Sequence, residues 1–275
     1  MPTFIRAHGA VIPAIGLGTW MLSGDACVEA VEAALSSGYR HIDTAIGYGN
    51  EREVGAGIRA GGIEREKLFL TTKIPPEQLA ADDMMRAAEG SLERLGVDQV
   101  DLLLIHWPSR TLPASETIRS LNAVQERGLT RFIGVSNYTI ALLDEAWNAT
   151  RVPIAVNQCE HHPYLDQPRL RAATAAHGTA FVAYCPLGQA EVLDEPVLRD
   201  IAGRLGRTPA QVVLRWQFQK GCVAIPKSAH PARIRQNLDI FSFELSDADM
   251  AAVDRLGDER RRICDYPSIA PAWDE

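Results

Sequence analysis

A carboxylate, a phenol, an amine and an imidazole at Asp43, Tyr48, Lys73 and His106 are the residues of this chain best suited to chemistry. The apolar runs "HIDT", "LFLTTK" and "VDLLLIH" give out at Asp43, Lys73 and His106, 30 and 33 residues apart, about one strand-helix-strand step each. In a parallel barrel, residues at the carboxyl ends of neighbouring strands converge on one mouth. Tyr48 lies five residues beyond Asp43, within reach of that mouth. Hydride delivered to a carbonyl carbon builds negative charge on the oxygen, so a proton donor and a polar clamp must already be aimed there. A phenol is a weak donor at its free pKa of about 10. A neighbouring ammonium favours the phenolate, so Lys73 is expected to lower the pKa of Tyr48, while Asp43 keeps Lys73 charged at a poorly hydrated mouth. His106 would hydrogen-bond and orient the substrate oxygen.

Each residue alone has a plainer reading: a turn-forming Asp, a packing Tyr, a satisfied His. Lysine usage tips the balance. Only four of the 28 basic residues are lysines (67, 73, 220 and 227), and Lys73 and Lys227 both fall at strand ends, where arginine offers no compact, titratable charge.

The elements that must position these groups follow from the hydrophobic pattern. Apolar runs end near Gly18, Asp43, Lys73, His106, Ser136, Gln158, Tyr184 and Pro226, which predicts eight strands. Cys27, Ala30, Val31, Ala34 and Leu35 form one helical stripe, and Met84, Ala88, Leu92 and Leu95 another. Thr208-Pro209-Ala210-Gln211 reads as a capping box with proline at the first helical position, Asp82 as the cap of a helix that Gly96 closes, and Ser246 to Asp249 as another start. "TFIRAHGAVI" predicts an amino-terminal hairpin and "EPVLRDIAGRLG" an extra helix. From Gly257 onward no helical period survives. With 275 residues, 46% of them hydrophobic, the expectation is one α/β domain over 1–275: a (β/α)8 TIM barrel with an amino-terminal hairpin, extra helices and an irregular tail over the active-site mouth.

A net charge of -7 opposes nucleic acid as a partner. The five cysteines (27, 159, 185, 222 and 264) include no C-x-x-C pair and fit reduced thiols. No apolar window approaches a membrane span and no secretory pattern opens the chain, so a cytoplasmic protein, working as a monomer on a small molecule, is expected.

Taken in order, "HIDTAIGYGNEREVG", "LFLTTKI", "DLLLIHWP", "GVSNY", "NQCEHHPYL", "AYCPLG" and "AIPKSAHPARIRQN" resemble the aldo-keto reductase family over nearly the whole chain. The resemblance implies an (α/β)8 barrel, reduction of aldehydes and ketones by a nicotinamide cofactor, no metal, and a catalytic tetrad at Asp43, Tyr48, Lys73 and His106. The side chains of Ser136, Asn137 and Gln158 suit a carboxamide and Tyr184 offers an aromatic face to a nicotinamide ring; all four match family positions with those roles. Pro186, Leu187 and Gly188 are assigned to the cofactor on the same resemblance. Lys227, Ser228, Arg233, Gln236 and Asn237 gather around a helix start, an anion site by charge and helix dipole. In the family pattern these grip the adenosine 2'-phosphate and adenine, implying NADPH, with NADH possible at lower preference. Gln236 stands where family members often carry Glu, and His230 where some bacterial members carry a second Arg, so cofactor discrimination is expected to be softer. A formal G-x-G-x-x-A match at Gly55, Gly57 and Ala60 follows the polar "NERE" inside a helical segment and reads as coincidence.

Trp20 and Trp107 follow strand ends and match family substrate positions, although Trp20 alone could equally plug one end of a barrel. Short connections after His106 and Gly188 predict a shallow pocket for small polar carbonyl compounds. The tail "RRICDYPSIAPAWDE" resembles that of B-type bacterial 2,5-diketo-D-gluconate reductases, members of which also reduce methylglyoxal; Cys264, Tyr266 and Trp273 could reach the pocket from it. Two rival readings are a metal-dependent barrel hydrolase and a nicotinamide-binding sensor subunit with little turnover. The hydrolase lacks an H-x-H after the first strand, and the adjacent His161 and His162 would point apart in an extended segment.

Overall fold

The computed structural model describes residues 4–274; Thr3, placed in the hairpin by its sequence, and the terminal Glu275 lie outside the described residues. Strands β1 (Phe4–Ala7) and β2 (Ala10–Pro13) form the antiparallel hairpin. His8 (φ 48°) and Gly9 (φ 88°) both take left-handed backbone at its turn, the geometry that matches strand twist in a two-residue loop.

Eight parallel strands follow: β3 (Leu17–Gly18), β4 (His41–Asp43), β5 (Phe69–Ile74), β6 (Val100–Ile105), β7 (Thr130–Ser136), β8 (Ile154–Glu160), β9 (Ala180–Tyr184) and β10 (Val223–Ala224). Each pairs with the next in chain order. A parallel bridge between Ile15 and Ala224, with Gly16 N donating to Ala224 O (2.9 Å) and Gly18 N to Pro226 O (3.1 Å), joins the last strand to the first. Helices α1 (Gly24–Ser37), α2 (Glu51–Ala60), α3 (Ala81–Leu95), α4 (Ala114–Glu126), α5 (Ile140–Ala149) and α6 (Pro168–Ala176) cover the outside. The chain ends with α7 (Pro196–Leu205), which is the predicted extra helix, α8 (Pro209–Gln219), α9 (Pro231–Leu238) and α10 (Asp247–Asp254).

Strand alternation decides which residues see the barrel interior. Ile42, Leu70, Ile74, Leu103, Ile105, Ile133 and Val135 pack outward into the helix layer. Phe69, Leu102, Leu104, Val156, Ala180 and Val182 fill the interior, stoppered by hairpin residues Ala7, Ala10 and Ile12. By the same parity Asp43, Lys73, His106, Ser136, Gln158 and Tyr184 point inward, one layer above that apolar plug. Gly134 keeps the interior narrow, because a Cβ there would lie 2.6 Å from Leu104 Cδ2 and 2.7 Å from Val156 O.

The expected capping box forms between Thr208 and Gln211, and the helix start expected at Ser246 carries a second one with Asp249. Asp82 does not cap α3. The Met84 N–H already bonds Ala80 O (2.8 Å), so the helix starts at Ala81 and Asp82 sits in its first turn, where it favours the dipole without closing the end. The glycines of the formal dinucleotide match lie within α2 and serve helix contact: a Cβ on Gly55 would come 2.3 Å from Leu95 O, and one on Gly57 2.7 Å from Val31 Cβ.

Three imidazoles are held neutral by their surroundings. Burial pulls His41 and His161 down to about 4 and His106 to about 3, so all three fold as neutral groups. Between pH 6.5 and about 4 the unfolded chain therefore binds more protons than the folded one, and stability is lost as pH falls through that window. Each imidazole contributes roughly 1.4 kcal/mol per pH unit there. A urea midpoint that declines steeply between pH 6.5 and 4.5 is expected; a midpoint flat over that range would show that these rings take up protons without unfolding.

Candidate active site

Lys73 is fully buried beneath the mouth, and its Nζ makes three hydrogen bonds that tie β5 to the end of β4 and the loop that follows it. It donates to Asp43 Oδ1, to Thr44 O (2.8 Å) and to Tyr48 Oη (3.2 Å). The second carboxylate oxygen of Asp43 accepts from Gln158 Nε2 (2.8 Å), so the carboxylate is held from both sides. Tyr48 ends a short 3-10 turn, Ile46–Tyr48, that carries the phenol back over the barrel. Its ring meets the His106 ring edge-on, with centroids 5.5 Å apart. A phenol from the loop after β4 and an imidazole from the end of β6 thus converge on one point of the cavity.

Burial is the largest influence on the Tyr48 phenol and pushes its pKa up; the Lys73 cation pulls the other way without reversing it. The sequence reading, a phenol lowered by its ammonium neighbour, is corrected in net direction, because removing the phenolate from water costs more than one shared cation returns. For Lys73 burial would lower the pKa, but Asp43 and then Tyr48 carry it above the usual lysine value, so the ammonium stays charged. His106 is depressed to about 3 by burial and then by Lys73, which leaves a neutral ring at physiological pH.

These groups open into a cavity of about 1030 Å³. Asp43, Tyr48, His106, Ser136, Asn137, Gln158, Tyr184, Pro186 and Leu187 line it, while Lys73 lies below the floor and Gly188 behind the wall. Asn137 is locked in place: its amide donates to His106 O (3.0 Å) and Ser136 Oγ (3.2 Å), and its Oδ1 accepts from Tyr184 Oη (2.8 Å). At the far end Lys227, Ser228, Arg233, Gln236 and Asn237 surround the start of α9, with Pro231 at its first position. Lys227 and Arg233 are exposed and pair with no carboxylate among the described residues, so two cations remain available to an anionic ligand.

Trp20 and Trp107 both line the cavity; Trp20 is partly exposed at the rim and plugs nothing. The loops after β6 and β9 are short, yet the pocket is roofed, because the tail crosses it. Tyr266 and Trp273 lie edge-on to Trp107 at 5.9 and 6.1 Å, and Arg110 donates to the carbonyls of Pro267 and Ser268 (2.9 Å each). A single buried carboxylate latches the tail. Glu160 Oε1 accepts from Ile263 N (2.6 Å), Cys264 N (3.0 Å) and His162 Nε2 (2.8 Å). Residues that sequence reasoning missed include Glu160 itself, Gln189, Ile269 and the α8 start Thr208 to Ala210, which reads as helix punctuation but also lines the cavity. The one available signal was a Glu at an inward strand-end parity. His161 and His162 do diverge, to Asp166 and Glu160 respectively.

A closed parallel barrel whose strand ends bring a phenol, an ammonium and a neutral imidazole together beside a long, cation-ended groove has the layout of a nicotinamide-dependent carbonyl oxidoreductase. The comparisons agree. Residues 14–258 match the Aldo/keto reductase family, and the chain belongs to it. An aldo-keto reductase of Mycolicibacterium vanbaalenii is 45% identical, covering 95% of this chain and 94% of that protein. The 2,5-diketo-D-gluconic acid reductase B of a Corynebacterium species is 43% identical, covering 96% of each. Among solved structures, one described as a 2,5-diketo-D-gluconic acid reductase B superposes with a TM-score of 0.97 at 40% identity, covering 100% of this chain and 98% of that one. The Bombyx mori aldo-keto reductase, solved in complex with NADP, gives 0.90 at 32% identity, covering 96% and 95%. The chain is thus an oxidoreductase acting on carbonyl groups, in a family that uses nicotinamide cofactors.

Proposed function

We propose that the protein reduces small aldehydes and ketones to alcohols with NADPH, taking 2-oxoaldehydes such as methylglyoxal and diketo sugar acids such as 2,5-diketo-D-gluconate. The observation that carries this reading is the Lys73 ammonium in contact with both Asp43 and Tyr48 under a neutral His106. The residues fit the cofactor: Lys227, Arg233 and Ser228 supply charge and hydroxyl for a 2'-phosphate, and Asn137, Ser136 and Gln158 supply amides and a hydroxyl for a carboxamide. When bound, the reduced nicotinamide supplies the hydride.

This chain's own groups do the rest. His106 holds the carbonyl oxygen and fixes its approach. Tyr48, fully protonated in the resting state, gives its proton to that oxygen as the alkoxide forms. Lys73 then stabilises the phenolate left behind, and Asp43 keeps Lys73 charged throughout. Trp20, Trp107 and Tyr266 exclude water from the reacting face. The similarity to a diketogluconate reductase supports the polar substrate class, since the family match alone reaches no further than carbonyl reduction.

A substrate panel of methylglyoxal, 2,5-diketo-D-gluconate and 4-nitrobenzaldehyde, scored by kcat/KM with NADPH and with NADH, tests the proposal. Turnover above about 1 per second with the polar substrates supports it. Binding of NADPH without turnover would favour the sensor reading. Arg233→Ala is expected to raise KM for NADPH by about tenfold through loss of a charge-assisted phosphate contact. The NADH constants should barely change. Equal losses with both cofactors would place Arg233 on the shared part of the dinucleotide.

A further inference from the structure

None of the five cysteines is paired, and they divide sharply by surroundings. Cys27, Cys159 and Cys222 are buried thiols pushed up to about 11, 12 and 12, chiefly by burial, and are poor nucleophiles. Cys185 and Cys264 instead share the wall of the active-site cavity. They come from distant segments that one carboxylate brings together. Cys185 directly follows Tyr184, the partner of Glu160 across β8 and β9, and Glu160 Oε1 accepts the Cys264 N–H. The turn after Cys185, closed by Gly188 N to Cys185 O (2.9 Å), abuts the tail, since a Cβ on Gly188 would lie 3.2 Å from Ile263 Cδ1.

The two thiols interact across that shared wall. Gln189, in the turn that follows Cys185, brings its Nε2 to 3.9 Å from Cys264 Sγ. The neighbouring Cys185 thiol is the leading cause of a lowered Cys264 pKa, against burial, and the same contact raises Cys185. One thiol is thereby favoured as the attacking thiolate and its neighbour as the resolving thiol. Cys185 also holds a left-handed backbone (φ 50°), an unfavourable conformation for a side chain of any size.

We infer that Cys185 and Cys264 form a redox-active dithiol, which hydrogen peroxide converts to a disulfide that ties the tail to the end of β9. In the first step the Cys264 thiolate attacks one peroxide oxygen, the O–O bond breaks, and hydroxide leaves, giving a sulfenic acid. In the second, Cys185 sulfur attacks the sulfenic sulfur, the S–O bond breaks, and the Cys185 proton leaves with the hydroxide as water. Two thiols and one peroxide thus give one disulfide and two waters, once the first hydroxide takes up the proton released when the thiolate formed. Cys185 lies between Tyr184 and Pro186 in the cavity wall, and Cys264 opens the roof, so the cross-link clamps wall to roof and slows exchange of whatever the cavity holds. The cross-link does not depend on the carbonyl-reduction reading; only its effect on turnover does.

The test treats the reduced full-length protein with a small excess of hydrogen peroxide, blocks the remaining thiols by alkylation, and reads intact mass, peptide map and turnover with 4-nitrobenzaldehyde. The expected result is loss of two of the five thiols, a peptide joining residues 185 and 264, and a fall in turnover of about tenfold, all reversed by dithiothreitol. Cys185→Ser and Cys264→Ser, each compared with its own untreated sample, should form no cross-link and keep their starting turnover. Sulfinic acid without a cross-link, no thiol loss, a bridge involving Cys27, Cys159 or Cys222, or a 185–264 bridge that leaves turnover unchanged would each overturn the inference.

Discussion

Tyr48→Phe is expected to lower turnover by at least about 10²-fold, equivalent to about 2.7 kcal/mol of barrier, while NADPH binding is retained. The substitution removes only the hydroxyl that Lys73 Nζ reaches at 3.2 Å. The phenyl ring keeps its edge-on contact with His106, so the cavity wall survives and the loss reports the proton. The pH profile carries a second signature. Burial raises the Tyr48 pKa, so the donor stays protonated well into the alkaline range, and His106 at about 3 does not titrate near neutrality. For the parent protein kcat/KM for reduction should be level from about pH 6 to 9, without the inflection near 6.5 of an ordinary histidine. Retained turnover in Tyr48→Phe, or a clear inflection near 6.5, would move the proton donor to another group, with His106 the first candidate.

Lys73→Met is expected to damage folding and chemistry together. It leaves the Asp43 carboxylate almost wholly buried with Gln158 as its remaining side-chain donor, and breaking a buried pair from one side costs about 3–5 kcal/mol. Turnover should fall at least about 10²-fold, because nothing then stabilises the phenolate that proton transfer creates. Adding Asp43→Asn to Lys73→Met removes the stranded charge and should restore most of the stability, yet none of the turnover. Urea unfolding and steady-state rates on the two single variants and the double variant separate the roles. A double variant as unstable as Lys73→Met alone would mean that the lysine stabilises the barrel by packing its stem rather than by pairing its charge.

The barrel and the heart of its site were readable because both rest on local patterns. Strand parity put Asp43, Lys73 and His106 inward, and each strand closed within two residues of where its apolar run gives out. The helices followed from their stripes and caps. What sequence did not disclose depends on distance in space. The Tyr48 shift is a balance between burial and one cation, and neither depth nor separation is written in spacing. The cap of α3 went to Ala80 rather than Asp82 because the preceding turn at Pro76–Gln78 sets where the helix begins. The tail over the mouth was expected, but what fastens it there was not. Short flanking loops suggested openness, but the covering segment arrives from the far end of the chain, and the amides that Glu160 holds lie 103 and 104 residues away in sequence.

That grip separates two kinds of inheritance. The proton-handling groups sit on or just beyond strands that cannot change without disturbing the barrel, whereas the covering strip is fastened through backbone amides and carbonyls at Ile263, Cys264, Pro267 and Ser268, and through side chains at Tyr266, Trp273 and Asp274. Contacts made through main-chain atoms ignore what side chains the strip carries. Selection can therefore redraw the side chains at the positions held only through main-chain atoms while the reaction stays intact, and transplanting the strip between relatives is a direct route to altered selectivity.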